Sequence, residues 1–98
     1  MKARAVRAAT PDILLVEDDP SLSVKIRAVL IRLGFAVVEV ASTAQEAISF
    51  ASSLSPKLAL VDARLAGPIG GKGVALVLRN NGIPVVILTG TPLERGRS

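Results

Sequence analysis

The 98-residue sequence contains no cysteine and no histidine. The first absence removes disulfides, thiolate nucleophiles and cysteine-based zinc sites. The second removes a Ser-His-Asp triad, a histidine general base and most transition-metal sites. Tryptophan and tyrosine are missing too, and phenylalanine occurs twice. A nucleic-acid module would want stacking aromatics beside clustered cations, so that class has little support. No apolar run approaches the ~20 residues of a membrane span. The opening MKARAVRAAT is basic but lacks the apolar core of a signal peptide, so a cytoplasmic location is expected. Polar chemistry is left to carboxylates, hydroxyls, Lys, Arg and backbone amides.

What is present favours one small packed domain: 50% of the residues are apolar and 20% charged. The net charge of +4 is a property of the tails. Between Asp12 and Gly90 seven basic residues face seven acidic ones, and the excess comes from Lys2, Arg4, Arg7, Arg95 and Arg97 against Glu94. Residues 1–11 therefore read as a basic flexible tail, 12–90 as the folded body and 91–98 as a second flexible tail.

Along the body, DILLV (Asp12 to Val16) is almost wholly apolar, as suits a strand buried on both faces. Glu17, Asp18 and Asp19 follow it. Asp19 before Pro20 predicts a helix start. Leu22, Ile26, Val29, Leu30 and Leu33 recur at helical spacing and Gly34 closes the helix. FAVVEV (Phe35 to Val40) predicts a second strand. A helix capped by Ser42 or Thr43 follows, with Ala44, Ala47, Ile48 and Ala51 inward and its end between Ser52 and Pro56. LALV (Leu58 to Val61) predicts a third strand ending at Asp62. A glycine-rich loop, a short helix around Val74 to Leu78 closed by Asn80-Asn81-Gly82, and a fourth strand IPVVIL (Ile83 to Leu88) complete the pattern. Alternating strands and helices with short connections predict an open, doubly wound parallel α/β sheet.

Ligand sites in such sheets lie outside the carboxyl ends of the strands. Those ends carry Glu17 and Asp18 after the first strand, Asp62 after the third and Thr89 after the fourth. If the first and third strands are neighbours, three carboxylates share one crevice with a hydroxyl beside them. Their mutual repulsion raises proton affinity, and a hard divalent cation relieves it; all-oxygen ligation points to Mg²⁺. Beside a metal, a carboxylate can act as nucleophile toward phosphorus. Asp62, alone at its strand end, is the best placed, and the Thr89 hydroxyl can donate to the transferred group.

The segments ILLVEDDP, LALVDARL and IPVVILTG resemble the signature segments of response-regulator receiver domains of two-component signalling, over about Asp12 to Gly90. That resemblance implies a flavodoxin-like strand order 2-1-3-4. It implies Glu17 and Asp18 as the Mg²⁺-binding pair, Asp62 as phosphoacceptor, the Arg64 backbone carbonyl as a further metal ligand, Thr89 as the switch hydroxyl and Gly90 as the small residue beside it. The implied donor is a phosphohistidine on a sensor histidine kinase or a phosphotransfer protein, and the chain is then a signalling phosphoacceptor rather than an enzyme. The family continues after its fourth strand with a helix, a lysine-bearing strand and a last helix. No match to these precedes Ser98, no output or DNA-binding domain is seen, and no catalytic lysine is identified. The 98 residues are accordingly expected to be a short receiver or a piece of a longer chain. An exposed, apolar fourth strand is expected to favour self-association. A pseudo-receiver, binding partners without switching on phosphorylation, is the alternative function.

AGPIGGKG (Ala66 to Gly73) raises a third reading, a phosphate-binding nucleotide loop. The Walker pattern needs glycine at the leading position and Ser or Thr after Gly-Lys. Ala66 and Gly73 stand there instead, so the nucleotide reading fails at both ends. Lys72 is expected to be solvated, and Arg95 and Arg97 to lie on the tail.

Overall fold

The structure, a computed structural model, describes residues 12–89. The two tails and Gly90 lie outside the described residues. The chain order is β1 (Asp12–Val16), α1 (Pro20–Arg32), β2 (Ala36–Ala41), α2 (Ala44–Leu54), β3 (Leu58–Asp62), α3 (Gly70–Asn80) and β4 (Val85–Leu88). All strand pairings are parallel and the sheet order is β2-β1-β3-β4. This is the strand order that the receiver resemblance implies, in the doubly wound sheet expected from the sequence pattern.

Period-two alternation divides the strand side chains between two layers. Ile13, Leu15 and Leu60 pack on one face with Ile26 and Leu30 of α1. Leu14, Val16, Ala59 and Val61 pack on the other with Ala47 and Ala51 of α2 and Val74 and Leu78 of α3. A strand flanked by helices on both faces has no polar side, which is why DILLV and LALV read as unbroken apolar runs.

The helix ends follow their chemistry. Asp19 Oδ1 accepts from the amides of Ser21 at 3.0 Å and Leu22 at 3.4 Å, and Pro20 occupies the first helical position. Gly34, at φ 99°, provides the left-handed turn that ends α1. Thr43 is the cap of α2: its Oγ1 accepts from the Glu46 amide at 3.1 Å, while Glu46 reaches back to the Ser42 amide at 2.8 Å. The reciprocal bonds form a capping box displaced by one residue at the returning end.

Four details depart from the sequence reading. β2 begins one residue later, at Ala36, because the Phe35 amide donates to Leu30 at the end of α1. β4 begins at Val85; the Ile83 amide donates to Leu78 and so belongs to the turn that leaves α3. Val29 and Leu33, expected inward, are 51% and 68% exposed, because α1 lies alone on its face of the described sheet and buries only a narrow stripe. The fourth is α3, which starts at Gly70 rather than near Val74. Half of the glycine run is therefore helix. A Cβ at Gly71 would fall inside contact distance of the Asp62 carbonyl oxygen and 2.9 Å from the Ala63 Cα. The glycine permits the first turn of α3 to lie against the end of β3.

Candidate functional site

Strand register builds the site. Val16 pairs with Val61, so Glu17 and Asp62 arrive level at the carboxyl ends of adjacent strands. Asp62 pairs with Leu88, which sets Thr89 at the same rim. Glu17 continues the alternation of Ile13 and Leu15, and Asp62 that of Leu58 and Leu60, so both carboxyls fall on the α1 side of the sheet. There Glu17, Leu22, Ile26, Asp62, Arg64, Leu88 and Thr89 line a crevice of about 200 Å³.

Glu17 is 2% exposed and Asp62 7%, and Asp18 is half-buried. One oxygen from each of the three carboxylates lies within 4.8 Å of the others. Each carboxylate is also held by one backbone amide. Asp19 donates to Glu17 Oε2 at 3.0 Å, Arg64 to Asp62 Oδ1 at 2.9 Å, and Ala66 to Asp18 Oδ2 at 2.9 Å. Burial pushes the Glu17 carboxyl above its ordinary value. The Asp19 amide opposes that rise, while a hydrogen bond shared with Asp62 and the charges of Asp62 and Asp18 add to it. An all-carboxylate donor set in which one member resists ionisation suits a hard divalent cation of the Mg²⁺ class.

Glu17, Asp18, Asp62 and Thr89, singled out in the sequence, thus meet at one rim. Arg64 lines the crevice and its amide orients Asp62. Gly90 lies outside the described residues, as do Arg95 and Arg97. Lys72 is exposed on the first turn of α3. Sequence reasoning missed the amides of Asp19 and Ala66 and the apolar walls Leu22 and Ile26. Leu22 and Ile26 carried a signal, the helical spacing from Pro20; the Ala66 amide carried none, because the bond it makes spans 48 residues.

The description "Response regulator receiver domain" fits residues 13–94 of the sequence. Phyllosphere-induced regulator PhyR of Methylorubrum extorquens is 37% identical over 83 residues, which cover 83% of this chain and 31% of that protein. DNA-binding response regulator MtrA of Mycolicibacterium smegmatis is 40% identical over 78 residues, covering 79% and 33%. The chain spans about a third of the length of these curated relatives. Among solved structures, the signal receiver domain of a modulated diguanylate cyclase from Desulfovibrio desulfuricans superimposes with a TM-score of 0.79. It is 31% identical, over 88% of this chain and 69% of that one. PhyR from Brucella abortus superimposes with a TM-score of 0.74 at 30% identity, over 86% and 35%. Strand order, motif positions and relatives agree: the chain belongs to the response-regulator receiver domain family.

Proposed function

We propose that this chain accepts a phosphoryl group on Asp62 from a phosphohistidine, carried by a sensor histidine kinase or a phosphotransfer protein. The observation that supports the reading is the meeting of Glu17, Asp18 and Asp62 within 4.8 Å, with Thr89 at the same crevice. The Arg64 amide orients the Asp62 carboxylate through Oδ1, and an oxygen of that carboxylate attacks phosphorus. The P–O bond forms as the P–N bond of the donor breaks, and the imidazole leaves with the bonding pair and is protonated from solvent. The Thr89 hydroxyl donates to an oxygen of the transferred group.

The carboxylates of Glu17, Asp18 and Asp62, with the Arg64 carbonyl, are the ligands proposed for Mg²⁺. Bound there, the ion would neutralise charge on the carboxylates and on the phosphoryl oxygens. The family's role in two-component signalling gives the donor its class.

Incubation with Mg²⁺ and acetyl phosphate is expected to add one phosphoryl mass to the intact protein. Asp62→Asn is expected to abolish that adduct, because the amide nitrogen and carbonyl of Asn are poor nucleophiles toward phosphorus. No adduct with acetyl phosphate or any phosphohistidine donor would leave the partner-binding module as the reading to pursue.

A further inference from the structure

Asp18 stands between two spaces. On one side are Glu17 and Asp62. On the other, Asp18, Thr43, Gln45, Ala66, Gly67 and Ile69 help to line a second crevice of about 330 Å³ between the loops that precede α2 and α3. A half-buried carboxylate with room on both sides is free to turn unless something holds it. The amides holding Glu17 and Asp62 come from two residues further along the same turn. The Ala66 amide is different. It belongs to the loop after β3 and reaches Asp18 across 48 residues of sequence, at 2.9 Å.

We infer that the Ala66 N–H is a positioning group: by holding one Asp18 oxygen at the wall of the second crevice, it fixes that carboxylate beside Glu17 and Asp62. The inference rests on the phosphoacceptor reading and adds a residue that motif comparison does not mark. The position of that amide is built into the fold. Leu65, its neighbour, is buried in the core, and the Leu65 amide donates to the Asp62 carbonyl at 3.2 Å. Gly71 lets α3 close against the same carbonyl. The loop that delivers Ala66 is therefore pinned at both ends to the strand that carries Asp62. One Asp18 oxygen is occupied by the amide; the other is left for a cation. An amide of this kind raises metal affinity by cutting the number of orientations the ligand must give up.

Ala66→Pro removes the donor, whereas Ala66→Gly keeps it. Titration calorimetry with MgCl₂ is expected to show roughly tenfold weaker binding for Ala66→Pro, the lower end of what outer-sphere partners contribute to metal sites. Ala66→Gly is expected to bind as the parent does. Equal Mg²⁺ affinity in the proline variant would overturn the inference while leaving the acidic site intact. A second measurement does not depend on the proline variant folding. In amide hydrogen exchange without metal, the Ala66 N–H is expected to exchange at least about tenfold faster in Asp18→Ala than in the parent, since an exposed loop amide owes its protection to its acceptor. Identical exchange in the two proteins overturns the tether. If the parent shows no Mg²⁺ binding, the phosphoacceptor reading fails, and the exchange experiment still decides whether Ala66 holds Asp18.

Discussion

Glu17 is where burial and charge oppose each other most directly. It is 2% exposed, it lies close to two further carboxylates, and its proton affinity is raised first by burial. Its folded value lies above the ordinary value of 4.5. The stability that this proton contributes is therefore complete below about pH 4.5 and lost as pH rises through the folded value. Glu17→Gln keeps an oxygen able to accept from the Asp19 amide and removes the charge. In metal-free protein, urea unfolding of Glu17→Gln is expected to match the parent near pH 4.5 and to show greater stability at pH 7. The same variant should gain less than the parent from added MgCl₂, since a neutral amide is a poorer ligand for a hard cation. Equal responses to pH in both proteins would mean that Glu17 is not held in competition with Asp18 and Asp62. The acidic residues themselves were legible in the sequence, because carboxylates that end apolar strands stand out. Their backbone partners were not, because an amide has no sequence signature.

At the scale of elements, α3 separates two glycines that look alike in the sequence. A Cβ at Gly71 meets the Asp62 carbonyl and Ala63 backbone, neither of which can move without shifting β3. A Cβ at Gly73 meets the Ile69 side chain, which is 45% exposed and free to turn. Gly71→Ala is expected to cost about 1–3 kcal/mol, the usual range for overpacking. Gly73→Ala is expected to be neutral or stabilising by up to about 1 kcal/mol, as alanine is the better helix former. Denaturant melts of the two variants test the contrast, and equal losses would contradict it. In α2, Thr43→Ala removes the acceptor of the Glu46 amide and should cost about 1 kcal/mol with loss of helix signal. The helix starts at Pro20 and Ala44 were legible because caps are local chemistry. The start of α3 was not: glycine weakens a helix in isolation, and only the close approach to Asp62 explains its use here.

For the whole molecule, the described sheet ends in β2 on one side and β4 on the other. β4 exposes Val86 and Ile87 at 46% and 40%, and α1 exposes Val24 and Val29. A terminal strand carries backbone donors and acceptors that can pair with another chain. The 98-residue chain is expected to self-associate as its concentration rises to tens of micromolar, roughly where exposed edges begin to pair, and Val86→Lys is expected to reduce this. Sedimentation velocity across a concentration series reads both effects, and a parent that stays monomeric throughout would argue against β4 as a contact surface. Among the described residues no helix is long and apolar enough to cross a membrane.

The sequence by itself determined that strands and helices alternate, that the first strand is buried on both faces, and that acids and a threonine stand at the carboxyl ends. These are local facts, set by side-chain period, caps and turn residues. The tertiary structure decided which ends meet. Parallel pairing of β1 with β3 is non-local, and its register alone places Glu17 level with Asp62. It also decided that AGPIGGKG is half helix rather than a loop, and that the amide of Ala66 closes on Asp18 from 48 residues away. The physical reason is the same in each case. Backbone groups and missing Cβ atoms act through distances that exist only once the sheet has formed.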